Sequence, residues 1–287
     1  MRKIVLIGFW WLALALGLVS LVGCEKEAEK TEQTTDADNP LNNEELEDPD
    51  SGEISEATLN LILAIPSPQE APKMLKDAGA AYDEKLLNPE DKVNKYRGTA
   101  SQALNMGVYT ANLSYASVYS KQQTAIRYYK AMSRLAEELG ISSVFSKKLE
   151  SRIKNNQENQ DSLNVIFDDT FRDLNEQLKK TRQERILSLM FAGAWIESAY
   201  IATEQWVANP NPKIKAHILA QQSTLVDLLK LLETQKTAEG VGDIYNQLAA
   251  VEPKFGAADG QMVTDLTDAQ VKEINAQLKK LRMNIVG

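Results

Sequence analysis

Apolar residues recur at steps of three and four over most of the chain beyond residue 53, and that spacing commits it to helices. Leu104, Val108, Ala111, Tyr115 and Val118 form one such stripe, and Tyr128, Met132, Leu135 and Leu139 a second. Ile214, Ile218, Leu225, Leu228, Leu229 and Leu232 form a third, and Val271, Ile274, Leu278 and Leu281 a fourth. Side chains three or four apart share one helix face, so each stripe is an apolar surface in need of a core. No convincing run alternates apolar with polar residues, and strand-rich clusters of Val, Ile and Thr are missing. The pattern predicts an all-α fold, an antiparallel multi-helix bundle of roughly eight to ten helices over 54–287, because short loops favour antiparallel neighbours. A solenoid would repeat at a fixed period, and none is visible.

Punctuation agrees with the periodicity. Ser67-Pro68-Gln69-Glu70 places a cap, a first-turn proline and a third-position glutamate in order. Ser120 to Gln123, Thr181 to Glu184 and Thr267 to Gln270 repeat the capping-box spacing. Gly140 follows Leu139 where a left-handed C-cap is expected, and Asn209-Pro210-Asn211-Pro212 must break the helix before it. One helix stands apart. From Ile186 to Ala202 the only strongly polar residues are Ser188, Glu197 and Ser198. A helix apolar on every side is buried on every side or spans a membrane. Its length and internal glutamate make a poor span, so it should be the centre of the bundle.

The N-terminus reads differently. Met1-Arg2-Lys3 precedes an apolar run from Ile4 to Val22, and the chain's single cysteine, Cys24, comes directly after Gly23. A positive start, an apolar stretch and small residues before a cut make a secretion signal. Leu21-Val22-Gly23-Cys24 resembles the lipobox of bacterial lipoproteins, which implies cleavage after residue 23 and lipidation of Cys24. An uncleaved membrane helix is the alternative, and it too exports the rest of the chain. With Cys24 consumed no disulfide can form, so the exported domain depends on its core.

Residues 25–53 carry 12 acids against 2 bases and few large apolar residues. Such a segment buries too little surface to fold, and 24–53 is read as a lipidated, disordered acidic tether. Its flexible span is roughly 30 Å before self-repulsion extends it. Residues 54–287 hold 28 bases against 28 acids, so the acidity of the chain belongs to the tether. No clustered basic surface points to nucleic acid. The expected surroundings are the cell envelope, with the outer membrane favoured over the inner because Glu25 is not the aspartate that commonly retains lipoproteins. The expected partners are the membrane, through the lipid, and another envelope protein.

Few residues suggest chemistry. Glu197 sits on the apolar helix, where a carboxylate must be paired, hydrogen-bonded or protonated. Tyr200 and Gly193 share its face. A second helix offers Tyr109, Asn112 and Tyr115, and Gly107-Val108-Tyr109 faintly matches Gly193-Ala194-Trp195, with Ala116 against Ala202. If the two helices are neighbours, these residues form either a ligand pocket edged by rings or a core polar network in which Glu197 meets a tyrosine or an arginine. His217 is the only histidine and is read as surface or core filler. One histidine and no free cysteine exclude the usual zinc sites, and neither metal nor cofactor is expected. The adjacent pairs Asp168-Asp169 and Glu137-Glu138 diverge around their helices and read as solvated faces.

Ile65-Pro66-Ser67-Pro68, Leu86-Leu87-Asn88-Pro89, Leu104 to Tyr109 and Leu135 to Ile141 resemble the corresponding runs of an uncharacterised all-helical lipoprotein family of Bacteroidetes-type bacteria. The resemblance implies an envelope location and a helical fold, not an activity. The family pattern has an aspartate where this chain has Asn112, which weakens a charged-ligand role there. The leading expectation is a non-enzymatic binding or scaffolding lipoprotein. The alternatives are a small-ligand binder around Glu197 and an enzyme built on carboxylates.

Overall fold

The computed structural model describes residues 60–62, 67–256 and 262–287, all within one compact unit. The signal sequence, Cys24 and the acidic segment lie outside the described residues. Among those described, nine α-helices and four 3-10 turns, with a helical turn at 60–62, account for all regular structure, and no strand occurs. The helices are α1 (Glu70–Asp77), α2 (Thr99–Val118), α3 (Gln122–Glu138), α4 (Lys147–Asn155), α5 (Gln160–Lys180), α6 (Glu184–Ala208), α7 (Pro212–Glu233), α8 (Val241–Ala249) and α9 (Asp268–Val286). The all-α bundle expected from the apolar period is the fold observed.

The centre is a pair of helices rather than one. α6 is buried almost throughout, as its composition demands. It is also long and apolar enough to cross a bilayer, yet most of its apolar stretch is covered by the protein itself. α2 was expected to show one apolar stripe, but every residue from Gln102 to Ser117 is buried. The stripe reading fails there because the intervening positions hold small or hydrogen-bonding residues that fit against other helices. Glycine allows the closest contact. A Cβ on Gly107 would lie 2.0 Å from the Met190 carbonyl oxygen, and one on Gly193 would lie 1.9 Å from that of Leu104. Side chains would force the backbones apart at this crossing.

The two central helices run parallel. Contacts climb together along both, from Leu104 against Gly193 to Tyr115 against Gln205. Their sequential partners return antiparallel, α3 after α2 and α7 after α6, through tight connections. The order of elements also repeats. A long central helix, a returning helix, a short helix with a 3-10 turn and a long closing helix occur as α2–α5 and again as α6–α9. Each central glycine meets the residue three positions before the other glycine, the reciprocity of a two-fold axis between parallel helices. The closing helices share a stretch, Leu174-Asn175-Glu176-Gln177-Leu178-Lys179-Lys180 against Ile274-Asn275-Ala276-Gln277-Leu278-Lys279-Lys280.

Of the four expected capping boxes, Thr267–Gln270 forms, with both reciprocal hydrogen bonds. Those at Ser120 and Thr181 do not, because the same residues close the preceding helix. Ser120 and Arg182 turn left-handed, at φ 59° and 55°. Lys121 N then reaches the Ala116 carbonyl and Gln183 N that of Leu178, each at 2.8 Å. These bonds satisfy carbonyls that would otherwise be stranded at the helix end. Gly140 performs the expected version of this closure at φ 72°. At the fourth site Ser67 and Pro68 form a turn, and α1 begins at Glu70 after an N-cap residue, Gln69, that makes no side-chain cap. The Asn-Pro-Asn-Pro run ends α6 and starts α7, where Asn211 accepts from Lys213 N at 2.8 Å.

Candidate functional site

An irregular strap, residues 78–98, joins α1 to α2 with only two short 3-10 turns and runs back along α2, from Tyr119 toward Tyr109. Carbonyls in such a segment have no helical partner, and if buried they need donors. Tyrosine hydroxyls supply them. Tyr119 donates to Ala80 O at 2.8 Å and Tyr115 to Ala81 O at 3.2 Å. Tyr128 donates to Asn88 O at 2.9 Å and Tyr109 to Pro89 O at 3.0 Å. Gln205 adds a second bond to Ala81 O at 2.8 Å. Each ring fills core volume while its polar tip holds the strap, which is how a buried tyrosine is usually accommodated. Burial pushes the Tyr109 and Tyr128 hydroxyls far above the ordinary tyrosine range, so they are donors and not proton carriers.

Glu197 is fully enclosed, and both of its oxygens are engaged. Arg282 on α9 grips it with two nitrogens, Nε to Oε2 at 2.5 Å and Nη2 to Oε1 at 2.9 Å. The same Nη2 donates to Leu86 O of the strap at 3.1 Å. Tyr200, one turn along α6, lies under the guanidinium at 4.3 Å from its ring centre. The Asn112 amide, oriented to satisfy both its neighbours, donates to Glu197 Oε1 at 2.8 Å and accepts from Asn88 N at 3.1 Å. Asn88 then donates to the Tyr96 hydroxyl at 2.8 Å. Burial tends to lower the affinity of Arg282 for its proton, but the Glu197 charge and hydrogen bonds outweigh it and raise it overall. A two-pronged guanidinium–carboxylate pair of this kind is strong and fixes direction.

The arrangement sorts the expected site residues into two groups. Glu197, Asn112 and Tyr200 meet, with Arg282 as their hub. Tyr109 stands one layer away, beside Tyr96 with ring centres 6.1 Å apart. Tyr115 does not join them; its hydroxyl serves Ala81, Asp83 N at 3.1 Å and Gln205 at 3.0 Å. The geometry is that of a polar network inside the core, one of the two outcomes the sequence left open. Sequence reasoning missed Arg282, Asn88 and Tyr96. Arg282 had one usable signal: it follows Leu278 and Leu281 at the end of an apolar stripe, where a cation could fold back onto the core.

The other face of the same α6 segment borders a cleft of about 260 Å³. Phe191 and Trp195 of α6, Phe171 of α5 and Met74 of α1 provide apolar and aromatic wall, and Ser198, Gln221 and Thr224 the polar rim. His217 of α7 also lines it. Its side chain is 2 % exposed, and neither ring nitrogen has a hydrogen-bond partner. Burial lowers its proton affinity to a pKa of about 4, so the ring is neutral at physiological pH. The reading of His217 as core filler thus describes its burial but misses its position.

Elsewhere the acidic pairs behave as solvated groups. Glu137, Glu138 and Asp168 are exposed, and Asp169 meets Arg172 at 2.8 Å and Arg152 at 3.3 Å on the surface. No three or more His, Cys, Asp or Glu side chains gather into a metal-binding group among the described residues. No protein family, curated protein or solved structure matches this chain.

Proposed function

We propose that this protein is a lipid-anchored lipoprotein of the bacterial cell envelope that acts as a non-enzymatic binding or scaffolding module. The carrying observation is the Leu21-Val22-Gly23-Cys24 motif behind a positively charged, apolar leader. The acidic stretch after it suits a spacer that holds the domain away from an anionic membrane. The core supports the non-enzymatic reading from a different direction. Glu197, the carboxylate best placed for chemistry, spends both oxygens on Arg282 and Asn112 and is sealed from solvent. A general acid or base must instead reach a substrate proton.

The anchor is tested on the full chain expressed in a bacterial host. Mass spectrometry of the mature N-terminus should find an acylated Cys24, and Cys24→Ser should move the protein from the membrane fraction to the soluble one. A mature chain that begins with an unmodified Met1, or a Cys24→Ser chain that stays membrane-bound, would sink the lipoprotein reading.

A further inference from the structure

A buried imidazole with no partner is costly, because its nitrogens lost water on folding and gained nothing in return. His217 is such a group: its ring forms part of the wall of an open cleft, while both of its nitrogens are covered by protein. Phe171, Phe191, Trp195 and Met74 supply apolar wall beside it, and the rim is neutral and polar, with Ser198, Gln221 and Thr224. Among the described residues, Glu70, exposed at the rim, is the only charged side chain lining the cleft, and no cation lines it. Anions therefore find no counter-charge there. A cavity of roughly 150 Å³ with apolar walls already holds a benzene ring, so one of about 260 Å³ has room for a fused pair.

We propose that this cleft is a binding site for a small, neutral, bicyclic aromatic compound bearing one N–H or O–H group, and that His217 accepts the hydrogen bond from it. The rings lie against Trp195, Phe191 and Phe171, and the neutral imidazole turns to bring one covered nitrogen to the donor. Occupancy removes the unpaired acceptor and covers apolar wall in the same step. The site names the ligand for the binding module proposed above and in that sense rests on it. The cleft itself does not depend on the lipid, so the two ideas fail separately.

The test uses the full acylated chain in detergent micelles and two fluorinated probes followed by ¹⁹F NMR. One probe, 5-fluoroindole, carries an N–H donor; the other, 2-fluoronaphthalene, has the same two-ring shape without it. Both should bind saturably, one per chain. Ala220→Trp, an exposed rim position, should block the cleft and weaken both by about tenfold or more, with the melting temperature unchanged. His217→Leu should weaken fluoroindole by about fivefold and leave fluoronaphthalene within about twofold. Signals no greater than micelle partitioning, or no effect of Ala220→Trp, overturn the site. Equal losses for both probes in His217→Leu, or no loss for either, overturn the role of the imidazole. A chain that binds probe but lacks the lipid breaks the anchor and spares the cleft.

Discussion

α2 and α6 hold equivalent places at the centre of the bundle, yet they are buried in different ways. α6 buries mostly apolar residues, the neutral polar Ser188, Thr203 and Gln205, and one charge, Glu197. α2 brings Gln102, Asn105, Thr110, Asn112, Ser114 and Ser117, and buries all of them. Its polar groups are absorbed close to home. Thr110 donates back to Met106 O at 2.9 Å and Asn105 to Ser101 O at 2.9 Å. Asn105 also reaches Ile285 O at the end of α9, at 2.7 Å, and Ser117 meets Asn164 of α5 at 2.5 Å. A helix is therefore buried not only because it is apolar but also because most of the polar groups it carries have somewhere to go, the Asn105 Oδ1 being an exception. The difference also places the risk. α2 distributes it over many small bonds, and α6 concentrates it in one carboxylate.

The largest effect should come from breaking that concentration. Arg282→Met removes the cation paired with a fully enclosed carboxylate. Stranding one member of such a pair costs about 3–5 kcal/mol, against a typical total stability of about 5–15. Urea unfolding should show this loss, and the double variant Arg282→Met with Glu197→Leu should recover much of it. A single variant within about 1 kcal/mol of the parent would mean that the charge is already relieved by other groups, and the contrast with α2 would fail.

The crossing is the feature both helices share, so it should respond symmetrically. Gly107→Ala and Gly193→Ala each place a methyl group inside contact distance of a backbone carbonyl on the partner. Backbone cannot swing away as a side-chain tip can, so the helices must separate and lose packing along their length. Each change should cost about 3 kcal/mol, the upper part of the range for overpacked cores. Thermal unfolding of the two variants would sharpen the comparison. Similar losses support the two-fold relation of the halves, whereas a large loss at one glycine and none at the other would dissolve it.

Much of the architecture was legible in the sequence, and the failures have physical causes. α6 is buried as its composition required, and the closures at Gly140 and Asn209–Pro212 follow from backbone chemistry that does not depend on partners. The burial of α2 was hidden because its polar residues look like solvent-facing ones until the strap supplies a donor to Asn112 and α9 an acceptor to Asn105. The faint match of Gly107 to Gly193 was visible, but its meaning as a crossing needed coordinates. The repeat itself escaped because the spacing between equivalent residues grows along the chain. Gly107 and Gly193 are closer in sequence than Asn175 and Asn275, so no fixed period exists to detect. Glu197 was singled out for the right reason, that a buried charge needs an answer. The answer lies near the other end of the chain, on Arg282, where no local pattern could assign it. Whether Tyr109 and Tyr115 edge a pocket or join a core network stayed open, because a tyrosine in an apolar stripe does not reveal which carbonyl its hydroxyl will find.

The smallest effects test whether the polar groups of α2 are as local as they look. Thr110→Val keeps the shape and removes a hydroxyl that bonds to its own helix, at a carbonyl already available to the backbone. It should cost less than about 1 kcal/mol. Asn112→Leu removes a group that bridges Glu197 and the strap. Glu197 keeps Arg282, but Asn88 N loses its acceptor, so the cost should be about 1–3 kcal/mol. Measured side by side in urea, the two substitutions should separate by at least about 1 kcal/mol. If instead Thr110→Val is the costlier of the two, the burial of α2 depends on its internal bonds, and its contacts with α6 and the strap are secondary.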